Sequence, residues 1–160
     1  MSNYSYIFLR KPAKSESSDI KDLINLFSKS GLLLSRDESE ILNSLDSFII
    51  AEHNSSLIGC ISYYDYGQSL FEIRSLAVKP EFEKKGLGSK LVSSIISIIP
   101  CEPLPKIFAL SYSPIFFKKN SFLEVPKETL PEKIWKDCSK CVNLENCGET
   151  ALVYSLGRLS

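Results

Sequence analysis

Apolar residues recur along the chain with two different periods. Ile20, Leu23, Ile24 and Phe27 stand at i, i+3, i+4 and i+7, the spacing of one face of an amphipathic helix that begins near Asp19 and is stopped by Gly31. Leu87, Leu91, Ile95 and Ile98, with Val92 and Ile99, repeat that spacing later in the chain. Ser35-Arg36-Asp37-Glu38 has the S-x-x-E form of a capping box, which predicts a second helix from Arg36 to about Leu45. Strands are predicted over 4–9, 47–52, 57–64, 70–78, 106–111, 122–125 and 150–156, where alternating or continuous apolar runs are short and bounded by polar residues. His53 to Ser56 reads as a polar hairpin connection, and Pro114 to Asn120 as a short helix with proline in its first turn. Pro100 to Pro105 is a stiff link, and residues 126–149 show no clear period. Periodicity alone defines a mixed α+β domain.

One stretch organises the rest: residues 70–89, LFEIRSLAVKPEFEKKGLGS. Its first half is a core strand interrupted by Glu72 and Arg74, and Pro80 ends it because proline cannot donate to a sheet ladder. Gly86-Leu87-Gly88 then opens directly into the apolar-periodic helix. A strand, a basic glycine loop and a helix start make an anion site, because first-turn amides point outward and the helix dipole favours negative charge. Glycines let a phosphate reach the backbone without meeting a Cβ. An ordinary strand-to-helix connection would share these features, and a lone G-x-G does not decide between the two.

Length and charge narrow the class. The 160 residues suffice for one domain with a real core, and no internal repeat divides them. Nineteen basic and nineteen acidic side chains cancel, and no basic stripe with interleaved aromatics occurs, so a nucleic-acid partner is not expected. No apolar stretch approaches a membrane span, and no signal-peptide core opens the chain. Five cysteines without a secretory signal point to a reducing compartment, so the expected location is the cytoplasm.

Leu76-Ala77-Val78-Lys79-Pro80, followed by Glu83-Lys84-Lys85-Gly86-Leu87-Gly88, resembles the acetyl-CoA signature of the GNAT acetyltransferases: LAV-x-P and then [QR]-x-x-G-x-[GA]. Glu83 stands where that family has Gln or Arg. Three further segments are similar to the short, kinase-free bacterial N-acetylglutamate synthases. They are Gly31-Leu32-Leu33-Leu34-Ser35-Arg36, Leu110 to Lys119 (LSYSPIFFKK), and the tail from Leu130 to Cys141 with Cys147 to Leu152. The resemblance implies an α+β GNAT fold with α/β-type layers: a mixed, mostly antiparallel sheet flanked by helices on both faces. It implies one acetyltransferase domain over 1–160, with the cysteine-containing segment 126–149 before the last strand. The implied activity is transfer of acetyl from acetyl-CoA to the α-amine of a small acceptor, L-glutamate, at the entry to arginine synthesis. The alternatives are another amine or a protein N-terminus, or a non-catalytic acetyl-CoA-binding or zinc interaction module. A homodimer is left open.

The implied cofactor contacts are Leu76, Ala77 and Val78 on the strand, and Lys84, Lys85, Gly86, Leu87, Gly88 and Ser89 in the loop and helix start. The chemistry needs a base, because the amine arrives protonated, and a donor for the tetrahedral oxyanion. Glu72 matches the family's glutamate four residues before the LAV leucine, and a carboxylate inside a core strand is costly unless paired or functional. The competing explanation is a plain salt bridge to Arg74, which shares a strand face with Glu72 at i, i+2. Arg36 sits at the start of a helix, where a cation opposes the dipole, so it is the candidate for gripping a substrate carboxylate; Arg74 is the second cation. Lys133 and Lys136 are further cations in the tail. Many GNAT members carry a tyrosine five residues before the phenylalanine of a Gly-Phe turn, to protonate the leaving thiolate. Here that position is Phe117 and the turn is Ser121-Phe122, so Tyr112 is the alternative acid.

Cys138, Cys141 and Cys147 form C-x2-C-x5-C, a spacing that brings thiolates onto one zinc ion but stops one ligand short of four. Asp137, Glu149 or His53 are conceivable completions, and buried thiols packing a loop are the competing account. Cys60 and Cys101 read as core or loop residues, and His53 as a solvated turn residue. If the three tail cysteines hold zinc, protein purified under reducing conditions without chelator carries about one metal per chain. Removing the metal then loosens residues 130–150 first. A metal content near zero leaves the packing account standing.

Overall fold

The computed structural model describes residues 6–29, 33, 35–131 and 149–155. The chain divides into two compact units, Met1–Pro105 and Lys106–Ser160. In the first, β1 (Ile7–Arg10), β2 (Phe48–His53), β3 (Ser56–Asp65) and β4 (Leu70–Val78) form an antiparallel meander in chain order. The β2–β3 hairpin closes through Asn54 and Ser55, both at positive φ (50° and 64°), as a tight two-residue turn requires. The predicted hairpin is therefore present. His53, however, is the last residue of β2 and sets its ring edge against Phe82 at 5.0 Å, so it packs on a side chain instead of standing in a solvated turn.

Helices cover both faces of this meander. α1 (Ser17–Ser28) buries Ile20, Leu23 and Ile24, the residues that its period picks out. With Ile41 of α2 (Glu38–Asn43) they form one cluster with Phe48, Ile50, Cys60 and Ala77 of the strands. α3 (Leu87–Ile98) lies against the opposite face through Leu87, Leu91, Val92 and Ile95. Gly59 of β3 permits this approach: a Cβ there would come within 3.2 Å of Leu91 Cδ1 and 3.3 Å of the Ala77 carbonyl. Full burial of one such aliphatic side chain is worth about 1.5–3 kcal/mol. That outweighs what a cap supplies, and neither α1 nor α3 has a side-chain cap bond. The outer face of α3 is serine: Ser89, Ser93, Ser94 and Ser97, with Lys90 and Leu9, line an open cleft of about 530 Å³. Ser97 Oγ turns back to bond the Ser94 carbonyl at 2.6 Å.

The capping box is not formed. α2 begins at Glu38 with Asp37 as its N-cap residue and no side-chain cap bond, and it ends at Asn43, short of the predicted Leu45. Residues 45–47 wind into a 3-10 turn instead. Arg36 therefore lies just before the helix and not in its first turn.

The second unit has β5 (Lys106–Ser111), α4 (Pro114–Lys119), β6 (Phe122–Val125) and β7 (Thr150–Tyr154). β7, last in sequence, is antiparallel to both β5 and β6 and lies between them. Phe117 is buried, with its ring at 5.2 Å from Phe116 and 5.1 Å from Phe122, so the residue where many GNAT members carry tyrosine is a packing residue here. Ser121 has φ +71°, the left-handed conformation that glycine adopts more readily. Among the described residues, no helix is long and apolar enough to cross a membrane.

β1 is tied down by charge as well as by its ladder. Arg10 donates to Glu16 Oε1 and Oε2 at 2.8 and 2.7 Å and to Glu52 Oε1 at 2.9 Å. The Arg10 bonds hold the Glu16 carboxyl below the usual carboxylate range, helped by the Ala13 amide. A lowered carboxyl pKa contributes stability above the unfolded value, near 4.3 for Glu, and loses it as pH falls through the folded value. Glu16→Gln should therefore lower Tm at pH 7, by no more than about 3 °C because the pair is partly exposed to solvent. The gap from the parent should close below about pH 4.3, as thermal melts across pH would show. A gap that persists in acid would mean that the charge plays no part.

Candidate active site

The site grows from β4. Leu70 to Val78 is a strand because its residues are apolar on both faces for most of its length, and it is buried at six of its nine positions, Glu72 among them. Glu72 is 8% exposed, and a charge at that depth needs partners. It has two. Arg74 Nε donates to Glu72 Oε1 at 2.7 Å, and the Tyr66 hydroxyl donates to the same oxygen at 2.9 Å. Arg74 Nη2 also donates to the Tyr66 oxygen at 2.7 Å, which closes a triangle. The Arg74 guanidinium lies over the Tyr64 ring, 4.3 Å from its centroid. The salt bridge weighed against a catalytic role for Glu72 is thus present, and it engages one carboxylate oxygen; among the described residues Oε2 accepts no hydrogen bond.

Just beyond Arg74 the ladder breaks register. Ser62 faces Arg74 while Cys60 faces Ala77, so Ser75 and Leu76 together stand opposite Ile61. Ser75 takes φ +55° at this bulge, is buried, and its carbonyl accepts from the Cys60 thiol at 3.3 Å. A bulge leaves one residue's backbone groups out of the strand ladder, where they are open to other partners. The Cys60 thiol is pushed up to about 12 by burial, offset in part by the Ala77 amide and by the charge of Arg36, so it stays protonated and packs as a core residue. Cys101 is exposed.

β3 alternates Cys60, Ser62 and Tyr64 on one face; Ser62 and Tyr64 stand opposite Arg74 and Glu72. Cys60 belongs to the core under α1 and α2 and feels the Arg36 charge. Glu72 and Arg74 therefore lie on the face of the meander that α1 and α2 cover, and Arg36 immediately precedes α2. The Arg36 side chain is 21% exposed and approaches Glu40, 57% exposed, at 3.8 Å.

The glycine loop follows β4. A 3-10 turn over Pro80–Phe82 leads to Lys84 at φ +62° and Gly86 at φ +83°, the N-cap residue of α3. The first-turn amides of Leu87, Gly88 and Ser89 have no intrahelical acceptor. A Cβ on Gly86 would meet no protein atom within 4 Å, so the glycine is required by its backbone angle and not by crowding. These features suit a phosphate seated on the helix start. Lys85 Nζ stands 5.7 Å from the centre of the Phe82 ring, which keeps a cation beside the loop. The Ala77 side chain is in the core cluster, so contacts from that residue to a cofactor run through the backbone.

Tyr112 follows β5 in the second unit and is half-buried. Cys138, Cys141, Cys147, Lys133 and Lys136 lie outside the described residues. Among the described residues, no group of three or more His, Cys, Asp and Glu side chains is placed to hold a metal. Two features carry no motif in the sequence: Tyr66, in what reads as a mere connection between strands, and the His53–Phe82–Lys85 stack. The signal for Tyr66 was its place in the β3–β4 turn, two residues after Tyr64, which stands opposite Glu72 once the hairpin closes.

Residues 17–113 match the model of the acetyltransferase (GNAT) family. An uncharacterized N-acetyltransferase of Chlorobaculum tepidum is 33% identical over 148 residues, covering 92% of this chain and 96% of that protein. The amino-acid acetyltransferase of Neisseria meningitidis serogroup A is 28% identical over 135 residues, 83% of this chain but 31% of that protein, so the chain spans about a third of that relative's length. N-acetylglutamate synthase from Neisseria gonorrhoeae, solved in complex with coenzyme A and N-acetyl-glutamate, superposes with a TM-score of 0.82 at 26% identity, over 96% of this chain and 36% of that one. The fold is that of acyltransferases that work with coenzyme A thioesters. The chain belongs to the GNAT acetyltransferase family. It is an acetyl-CoA-dependent amine acetyltransferase with the α+β fold expected from its signature.

Gly86→Val forces a branched residue into φ +83° and points it into the space before the helix start. A ligand at about 100 times its Kd stabilises a protein by about 2.7 kcal/mol. The valine variant should lose most of that acetyl-CoA-induced rise in Tm, whereas Gly86→Asn, which tolerates the left-handed region, should keep part of it. Equal rises in parent and valine variant would move the diphosphate away from this loop.

Proposed function

We propose that the acceptor is L-glutamate and that residues 1–160 act as one acetyltransferase domain. The observation that carries this reading is the buried carboxylate of Glu72 with Arg74 bonded to it, on the face of the β1–β4 meander that α1 and α2 cover, with Arg36 immediately before α2. A dicarboxylate acceptor needs cations, and the guanidinium fork grips a carboxylate with two parallel bonds. Likeness to the gonococcal enzyme complexed with N-acetyl-glutamate, at 26% identity over nearly the whole chain, supports the same acceptor.

In this reading the amino acid arrives as an ammonium ion with a carboxylate on Arg36. Glu72 takes the proton through Oε2, directly or by way of a water. The freed lone pair adds to the thioester carbonyl carbon, and a backbone amide near the Ser75 bulge donates to the oxyanion. Collapse breaks the C–S bond; the sulfur leaves as a thiolate, and the second proton that the nitrogen sheds on becoming an amide passes to that sulfur or to solvent. Arg74 serves by pairing Glu72 and by adding positive charge beside the second carboxylate.

Thiol release from acetyl-CoA, measured against free amino acids, diamines and a peptide N-terminus, tests the acceptor. Glutamate should be preferred, and turnover confined to a neutral amine or a peptide would replace it. Arg36→Ala should then raise the glutamate KM roughly thirtyfold or more, the loss of about 2–3 kcal/mol of charge-assisted bonding. Acetyl-CoA affinity should hardly change. Arg36→Lys should recover only part of the loss, because lysine lacks the fork. Unaltered glutamate kinetics in Arg36→Ala would make this arginine a surface residue.

A further inference from the structure

Tyr66 sits in the turn between β3 and β4, and several contacts fix it there. Its amide donates to the Leu70 carbonyl at 2.9 Å, and the Leu70 amide donates to the Gly67 carbonyl at 3.2 Å. The Gly67 amide donates to Asp65 Oδ1 at 2.7 Å. Gly67, Gln68 and Ser69 all take positive φ, 85°, 56° and 59°, so three consecutive residues hold the left-handed conformation. Two of these are not glycine, and each is held there at a cost the surrounding bonds must offset. The Tyr66 ring packs edge-on to Tyr64 with centroids 4.7 Å apart. Its hydroxyl then uses both its capacities at once, donating to Glu72 Oε1 and accepting from Arg74 Nη2.

We infer that Tyr66 is the positioning residue for the reacting carboxylate, an inference that rests on Glu72 being the base. Without it, the Glu72–Arg74 pair is a single contact at Oε1 between neighbours on one strand, free to rotate about the Glu72 side-chain torsions. With it, Oε1 is held from two directions, and the carboxylate plane is set by a residue from a different strand end. Oε2 is then the oxygen left to take the proton, in one orientation. Hydrogen-bonded side-chain networks of this kind gain rigidity only when every member is satisfied. The triangle is closed on each of its three edges, and Oε2 alone lies outside it. Tyr66 touches neither substrate nor cofactor in this role; it acts through Glu72.

Tyr66→Phe keeps the ring and removes the hydroxyl. With L-glutamate, or with the panel amino acid the parent acetylates fastest, kcat should fall about tenfold, the scale of one charge-assisted bond. The acetyl-CoA KM should stay within error of the parent, and Tm should fall by no more than about 6 °C, the scale of one or two such bonds. Glu72→Gln should be slower still, and the double variant no slower than Glu72→Gln alone, since a residue acting through another adds nothing once that other is gone. Losses that multiply in the double variant overturn the inference. So does a Tyr66→Phe protein that melts earlier than that, fails to fold or loses acetyl-CoA affinity, because the tyrosine then serves the hairpin. Glu72→Gln at the parental rate removes the base itself. Tyr66→Phe at the parental rate beside a slow Glu72→Gln removes only the role given to Tyr66.

Discussion

A carboxylate cannot be left alone in the middle of a buried strand, and the geometry around Glu72 answers that constraint. The two hydrogen bonds on Oε1 come from Arg74, two residues along the same strand, and from Tyr66 on the adjoining turn. Arg74 in turn is stacked on Tyr64, directly across the ladder from Glu72. The strained turn, the aromatic pair and the ion pair are therefore one device. Breaking a buried pair by removing one partner is costly, because it strands the other charge. That cost explains why the three polar side chains hold together in a strand that is otherwise largely apolar.

The second constraint is conformational. Ser75 at the bulge, and Lys84 and Gly86 in the loop, all hold positive φ within a dozen residues. Each reverses the local direction of the backbone: the first breaks the β3–β4 register, the others turn the chain from the end of β4 into α3. Both are backbone features: the bulge leaves main-chain groups outside the ladder, and the loop presents first-turn amides at the helix start. Neither relies on a long side chain, which agrees with Glu83 standing in the loop where relatives of similar signature carry Gln or Arg.

Much of the fold was legible where apolar periodicity and hard stops coincide. β4, β5 and β6 begin and end where the pattern says, because proline, polar loops or a short helix bound them. The buried faces of α1 and α3 follow from their spacing alone. The start of α2 did not follow from its motif: Ser35 and Glu38 have the right identities, but the helix begins two residues later than the motif predicts, at Glu38 itself. A capping box is a local preference of about 1 kcal/mol, and burial of Ile41 outweighs it. His53 was misplaced for a similar reason, since nothing local tells a turn residue that Phe82 will lie beside it. Glu72 and Arg74 were legible as unusual residues in a core strand. Tyr66 was not, because its part depends on which residues a hairpin brings opposite one another. The glycine loop was legible as a motif, yet the reason for Gly86, its backbone angle in open space, is a property of the folded loop.

The serine face of α3 has a consequence for the order in which the protein takes shape. A twelve-residue helix is marginal by itself in water, and here the exposed side offers no opposite-charge pairs to support it, while a serine hydroxyl competes for a main-chain carbonyl. α3 therefore exists as a helix because Leu91, Val92 and Ile95 find the sheet. Until they dock, the amides at its start point nowhere in particular. An anion site at that helix start would then be a late product of folding, made available only once the meander of strands is already in place.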